Sequence, residues 1–301
     1  MRHVTLTLLL ALAGLGIGRG SAFATPFEPA TVPDSVQAVG HLDVDLLRKT
    51  QLFTAAGGQA AIDAALDQAP PQMRSMARTL ARTIRGVTFW RGSDHGAIYV
   101  ETRDSRALGQ LLAKLPGKPA QPVDGYPTYA LGDGNGDDPH YAAVFADTLV
   151  LADSEDSLAQ SLRVLGGKAA TLAGSNKLPV SSRQGVFVFV TVGDDLLGAI
   201  SKVAHAKVLQ LGLRSLAVDV GEASGMLTAN ARGEMRSADA LQKAKSILDG
   251  LRALASLSDE PAARTLLDGV TVTTNGLAIE IVCRIPVAEV TKMIQHHHHP
   301  K

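Results

Sequence analysis

The sequence predicts an α+β protein that contains an internal duplication of a mainly antiparallel sheet, built of hairpins, with helices packed on one face. Three observations support this. Short alternating apolar segments come in pairs around turn residues, an amphipathic helical segment follows, and the same order of segments returns about half a chain later. Because strands come in pairs before each helix, the pattern disfavours the strict strand and helix alternation of a parallel doubly wound sheet.

The chain divides into five predicted segments. They are a signal peptide (1–24), a first α+β repeat (25–167), a linker (168–184), a second α+β repeat (185–295) and a His-rich tail (296–301). The linker is assigned because its residues are small and polar.

The N-terminus has the layout of a secretory signal peptide. Arg2 precedes an apolar run, and Ala22-Phe23-Ala24 resembles a cleavage site. The run is shorter than the ~20 residues that span a bilayer, and no later run reaches that length. We therefore expect export to the bacterial periplasm or exterior, with no transmembrane segment in the mature chain.

The first repeat is organised around a hairpin and the helix after it. Val87 and Phe89 alternate with polar residues, as do Ile98 and Val100 after a turn at 93–96, and Ser105 is placed to cap the helix. The other predicted elements are a strand at 36–47, helices at 59–68 and 71–84, a strand at 125–131, strands within 141–151 around a turn at Asp147-Thr148, and a helix opened by Ser154.

The second repeat follows the same plan. Its predicted elements are a strand at 185–197, a helix at 198–212, strands at 216–220 and 225–231 around a turn at 221–224, a helix from Ser237, strands at 270–273 and 277–285, and a helix from Pro286. Asn275-Gly276 is a strong hairpin signal between the last two strands. The Asp-Leu-Leu sequences that begin at Asp45 and Asp195 match, and both aspartates are predicted to cap helices.

Charge and composition exclude several classes of function. The full chain has 29 basic and 29 acidic residues, and removal of the signal peptide takes away only Arg2 and Arg19, so the mature chain is nearly neutral. Near-neutrality and an aromatic content of 4% argue against a nucleic-acid-binding protein. Cys283 is the only cysteine, so no internal disulfide can form.

Four arginines form the candidate ligand-binding face. Arg74, Arg78, Arg82 and Arg85 recur at spacings of four, four and three in the helical segment 71–84 and just after it, with no acidic residue among them. Such a line could meet phosphate, lipid headgroups or an acidic protein surface. The alternative is a solvated helix face whose charge other parts of the fold neutralise.

Histidines provide two candidate metal sites. His296, His297, His298 and His299 are adjacent and could bind zinc, nickel or copper without any fold. His41-x-Asp43-x-Asp45 places three ligand-type residues on one strand, but Thr191 and Gly193 replace the first two in the second repeat. The alternative for that pattern is an exposed polar strand face.

No catalytic motif of a known type occurs, so we expect no enzyme and no cofactor other than a metal at the tail. The leading hypothesis is an exported non-enzymatic binding or scaffold protein. It would hold a lipid, peptide or protein partner on the arginine face or in a groove between the repeats. The alternatives are a periplasmic metal-handling protein and a hydrolase with a dispersed site that uses His95, His140 or His205.

Overall fold

A computed structural model describes residues 26–68, 71–113, 117–131, 140–175, 178–180, 185–197, 212–257 and 261–298. The chain divides into two compact units, Met1–Lys177 and Leu178–Lys301. Each unit is a mixture of helices and antiparallel strands, which confirms the predicted α+β class. The predicted signal peptide lies outside the described residues.

Unit 1 contains seven described strands, all paired antiparallel. They are β1 (Ala38–Asp43), β2 (Ile84–Arg91), β3 (Gly96–Thr102), β4 (Gly117–Val123), β5 (Tyr126–Leu131), β6 (His140–Phe145) and β7 (Thr148–Ala152). Their order in the sheet is β1-β2-β3-β7-β6-β5-β4. The hairpin predicted around residues 93–96 is present, since Val87 pairs with Val100 and Phe89 with Ile98.

Six α-helices of unit 1 are described. They are α1 (Val44–Leu47), α2 (Gln51–Ala55), α3 (Gly58–Leu66), α4 (Pro71–Thr83), α5 (Ser105–Leu112) and α6 (Glu155–Leu165). Ser154 caps α6 as predicted, because its hydroxyl accepts a hydrogen bond from the Ser157 amide. Asp104 caps α5 in place of Ser105, since its carboxylate accepts from the amides of Arg106 and Ala107.

Asp45 is not a helix cap, contrary to the prediction. The cap of α1 is Asp43, whose carboxylate accepts a hydrogen bond from the Leu46 amide at 2.8 Å. A cap must be the residue just outside the helix, and α1 begins at Val44, so Asp45 falls in the first turn. Its side chain is left to interact with the protein interior.

Helices cover both faces of the unit 1 sheet, whereas the sequence predicts helices on one face. Neighbouring residues of a strand point to opposite faces. Val100 packs in a core cluster with Leu108 of α5. The next residue, Tyr99, is buried on the other face and is hydrogen-bonded to Ser161 of α6 and to the indole of Trp90.

Unit 2 contains five described strands and three long helices. The strands are β8 (Val186–Val192), β9 (Leu213–Ala223), β10 (Met226–Met235), β11 (Val270–Asn275) and β12 (Ala278–Pro286). The helices are α7 (Ala238–Ser256), α8 (Pro261–Asp268) and α9 (Val287–His298). The strand order is β8-β9-β10-β12-β11, with antiparallel pairing. The helix predicted at 198–212 lies outside the described residues except for Gly212.

The two units share a strand order when each is followed from its first strand. The order is β1-β2-β3-β7-β6 in unit 1 and β8-β9-β10-β12-β11 in unit 2. In both units the third strand in chain order is therefore followed in the sheet by the last strand and then by the strand before it. Unit 1 has the additional hairpin β4–β5 beyond that set. Common topology agrees with a duplicated architecture, although the duplication itself stays a prediction from the sequence. In the described part of the chain, no helix is both long enough and apolar enough to span a membrane.

Candidate functional site

The arginines of the predicted ligand-binding face lie on α4 and at the start of β2, and carboxylates face most of them. Arg78 forms an ion pair with Asp67, and Nη2 of Arg82 lies 3.6 Å from Oδ2 of Asp63. Arg74 also has an interaction within the protein. These ion pairs agree with the alternative that other parts of the fold neutralise this face, because α3 and its C-terminal end supply acidic residues from outside α4. Their role in ligand binding stays a prediction.

Arg85 belongs to a group of charges around the buried carboxylate of Asp45, which is 1% exposed. Oδ1 of Asp45 lies 3.1 Å from Nη1 of Arg48 and 2.5 Å from Nη2 of Arg103. Nε of Arg85 lies 3.8 Å from Oδ2 of the same carboxylate. Arg48 also donates a hydrogen bond from Nη2 to the Ala81 carbonyl at 2.8 Å. These contacts connect α1 to the end of α4, to the start of β2 and to the residue that follows β3.

Burial changes the proton affinity of groups in and beside this cluster. It lowers the pKa of the Arg48 guanidinium because the charged form loses its hydration, an effect that Asp45 opposes. Burial also raises the pKa of Glu101 to about 7; the Asp147 carboxylate adds to this rise, and Arg85 opposes it. Buried ion-pair networks and catalytic sites both produce such shifts. Glu101 thus gives unit 1 a charge that changes near neutral pH.

One histidine lies close to a carboxylate and a serine, but not in the order that a hydrolase needs. Nδ1 of His95 is 4.0 Å from Oδ1 of Asp153, beyond hydrogen-bonding distance. That oxygen accepts hydrogen bonds from the Gly96 amide at 2.9 Å and from the Ser157 hydroxyl at 3.1 Å. Ser157 is buried and contacts the aspartate, whereas a catalytic serine must contact the histidine. His140 lies at the exposed start of β6, and His205 lies outside the described residues.

The His41, Asp43 and Asp45 pattern is buried, so the expectation of an exposed polar strand face is wrong. Nδ1 of His41 and the Thr88 hydroxyl form a hydrogen bond of 2.9 Å, and the ring packs against Phe27 with centroids 5.7 Å apart. Asp43 is used as the α1 cap. In the part of the chain that the structure describes, no three His, Cys, Asp or Glu side chains are grouped to hold a metal ion.

The predicted metal-binding tail begins within the last helix of unit 2. Helix α9 extends to His298, but the side chains from residue 294 onward, including those of His296–His299, lie outside the described part. Metal binding by these histidines stays a prediction.

An exposed apolar surface on unit 2 is the feature that the sequence analysis missed. We call it the apolar tip, and its members are Ile247 (38% exposed), Leu251 (56%), Leu254 (68%), Leu257 (78%) and Leu266 (41%). In the first half of α7, Ala240 and Ala244 are buried in a core cluster. Ile247, Leu251 and Leu254 continue the same helical stripe, at spacings of three and four, but the sheet no longer covers it.

The one sequence signal for the apolar tip is that the apolar stripe of α7 continues for several turns beyond its buried first half. The periodic apolar positions of α7 predict an inward face, and nothing in the local pattern marks where the covering sheet stops. Exposed leucines at neighbouring turns of a helix are unusual on a soluble monomer and are typical of an interaction surface.

The fold and this surface define an α+β protein with antiparallel sheets and one conspicuous apolar helix face. No protein-family model matches the chain, and no curated protein does. Its fold is similar to that of the Treponema protein TP0453. Crystal form III of that protein gives a TM-score of 0.54 at 7% identity, over 90% of this chain and 98% of that chain. Crystal forms I and IV give 0.50 and 0.51 at 10% identity, over 90% of this chain and 97% of that chain. At such identities the similarity is one of fold.

Proposed function

We propose that the chain is an exported, non-enzymatic binding or scaffold protein, and that a partner binds its apolar tip. The exposure of Leu251, Leu254 and Leu257, each more than half accessible, is the observation that carries this proposal. The predicted signal peptide supports a location in the bacterial envelope or outside the cell. A fold similar to that of TP0453 agrees with this proposal, although it names no ligand.

The apolar tip has the geometry of a helix that inserts into an apolar surface. Ile247, Leu251 and Leu254 have the i, i+4, i+7 spacing of anchors in helix-in-groove recognition. Burial of a leucine stabilises an interface by about 1.5–3 kcal/mol. Roughly two thirds of each of Leu251, Leu254 and Leu257 is accessible. Covering these three leucines would thus contribute about 3–6 kcal/mol to the free energy of binding. That is a change of about 100-fold or more in a dissociation constant.

The arginine face is a weaker candidate for the same role. Arg78 and Arg82 already face Asp67 and Asp63, so an incoming anion would have to compete with these carboxylates. Exposed ion pairs are worth about 0–1 kcal/mol, so such competition is not prohibitive. Leu251, Leu254 and Leu257 are each more than half exposed, so a partner could cover them without displacing an ion pair, and the apolar tip therefore leads.

The test compares two triple variants of the protein without residues 1–24. Leu251→Gln, Leu254→Gln and Leu257→Gln remove the apolar tip. The control variant carries Lys245→Gln, Asp249→Asn and Arg252→Gln, which lie on the opposite side of the same helix. All six side chains are exposed, so both variants should keep wild-type stability within about 0.5 kcal/mol.

Binding is measured with the immobilised protein against envelope extract and, separately, by flotation with phospholipid vesicles. We expect the leucine variant to lose at least 90% of the binding that the wild type shows, and the control variant to keep it. If the leucine variant binds every partner and the vesicles as the wild type does, the apolar tip is not the binding surface and the proposal fails.

A further inference from the structure

Strand β11 has a free pairing edge in unit 2. Among the described residues it pairs only with β12, with Val270 opposite Cys283. The Arg284 amide donates to the Gly269 carbonyl at 2.9 Å, so residues 269 and 284 form a hydrogen-bonded pair. Such pairs alternate along an antiparallel ladder. The backbone groups of 271, 273 and 275 therefore face β12, and those of Val270, Val272 and Thr274 face outward.

The edge of β11 lacks the features that usually prevent strand pairing. Strand β4, which also has one neighbour in its unit, contains Lys118, Pro119 and Pro122. Lysine and proline on an edge discourage the addition of another strand. Strand β11 has the sequence VTVTTN, with no proline and no charge and with five β-branched residues in a row. Its composition favours pairing.

The residues of β11 whose backbone groups face away from β12 can pair with the same residues of a second copy. Val270, Val272 and Thr274 are spaced by two residues, so an antiparallel copy centred on Val272 sets Val272 opposite itself and Val270 opposite Thr274. All three facing pairs are then hydrogen-bonded pairs, which gives about six hydrogen bonds between the copies. A residue near a twofold axis lies close to the same residue of the other copy, so two charged side chains there would repel each other. Strand β11 has none.

One side chain of this edge, Val272, belongs to the same apolar layer as the first half of α7. Val272 packs against the core cluster of Ala240 and Ala244, as do Leu241 and Leu248. Pairing at β11 would extend this layer across the axis, next to the helix whose C-terminal end carries the apolar tip. From these observations we propose that a second copy of this chain is the partner of unit 2, in a symmetric dimer that joins the two β11 strands about Val272. This inference rests on the proposed function, because it names the partner of the surface that includes the apolar tip.

A disulfide across the axis tests the predicted register. In a Cys283→Ala background, Val272→Cys places two thiols on facing residues of a hydrogen-bonded pair, with Cα atoms about 5.5 Å apart. That separation suits a disulfide. The matched control is Asn275→Cys, whose two copies would be offset by six residues, or about 20 Å. Mild oxidation should convert at least half of the Val272→Cys protein to a covalent dimer and less than a tenth of the control.

A second variant tests the pairing without a cysteine. Thr274→Pro removes an outward amide that β12 does not use, so unit 2 should fold with an unchanged circular dichroism spectrum. We expect wild type at 50 μM to sediment with twice the monomer mass and Thr274→Pro to sediment as a monomer. A monomeric wild type, or a wild-type dimer that Thr274→Pro leaves intact, overturns the inference.

The two proposals fail differently. If Thr274→Pro abolishes the dimer, the inference holds, and the leucine variant of the apolar tip should then also weaken self-association at least tenfold. If the wild type is a monomer but the leucine variant still loses extract or vesicle binding, the inference fails and the proposed function stands.

Discussion

Replacement of Asp45 by asparagine should destabilise unit 1 strongly. The substitution keeps the size of the side chain but removes the charge that Arg48, Arg85 and Arg103 share. Two charge-assisted hydrogen bonds, at 3.1 Å from Arg48 and 2.5 Å from Arg103, become weaker. Each such bond is worth about 1.5–3 kcal/mol. Arg103 and Arg85 are about one third exposed and can turn to water, whereas Arg48 is buried and cannot.

The expected loss is therefore about 3–5 kcal/mol, the usual result of leaving a buried charge without its partner. Urea unfolding can follow it through Trp90, the only tryptophan, which is 3% exposed and donates from its indole to the Tyr99 hydroxyl at 2.8 Å. Because Trp90 lies in unit 1, its fluorescence reports that unit. With a slope of about 2 kcal/mol per molar urea, the midpoint should fall by about 2 M.

Two comparisons make the result specific. Asp67→Asn removes an exposed partner of Arg78 and should cost about 0–1 kcal/mol. Adding Arg48→Met to Asp45→Asn removes the uncompensated buried charge and should restore at least half of the loss. A loss below about 1 kcal/mol for Asp45→Asn would refute the reasoning, as would a double variant less stable than the single one.

Three further predictions concern pH, metal and the arginine face. The pKa of Glu101 is raised by burial, so its protonated form stabilises the folded state at low pH, and this contribution is lost as pH rises from about 4.5 through 7. The free energy of unfolding of the wild type should therefore fall by at most about 3 kcal/mol between pH 5 and pH 8. Urea unfolding of Glu101→Gln at the same two pH values should not show this fall. Deletion of residues 296–301 should abolish tight nickel or zinc binding in titration calorimetry, and unchanged affinity would remove the tail as a metal site. Glutamine at all four arginine positions (Arg74, Arg78, Arg82 and Arg85) should change the affinity for the partner of the apolar tip by no more than about twofold, because ion pairs already engage this face. A larger loss of affinity would show that the arginine face is part of the binding site.

Local chemistry made several elements predictable from the sequence. The caps at Ser154 and Ser237 need only a hydroxyl and an amide three residues later, and both are formed. Asn275-Gly276 lies at the β11–β12 turn as predicted, and Gly276 has a φ of 57°. The turn before β10 was misplaced by two residues, because Ser224 and Gly225 both adopt positive φ and Gly221 stays in the strand.

Elements whose sequence signals conflict were missed. Strand β4 contains Pro119 and Pro122, which normally argue against a strand, but an edge strand tolerates proline because one side needs no ladder. The turn at Asp124-Gly125 was a hairpin signal that could have revealed it. Helix α8, which begins at Pro261, was also overlooked, although proline is common at the first position of a helix.

The sequence by itself determined the α+β class, most hairpins and most helix positions, because these depend on side-chain periodicity and on turn and cap chemistry within a few residues. Only the tertiary structure decided that Asp45 points into a cluster of arginines, that Asp63 and Asp67 face the arginine line, and that α7 extends beyond its covering sheet. Each of these outcomes depends on which distant segment occupies the neighbouring space. That is settled when the whole core packs, and no local pattern records it.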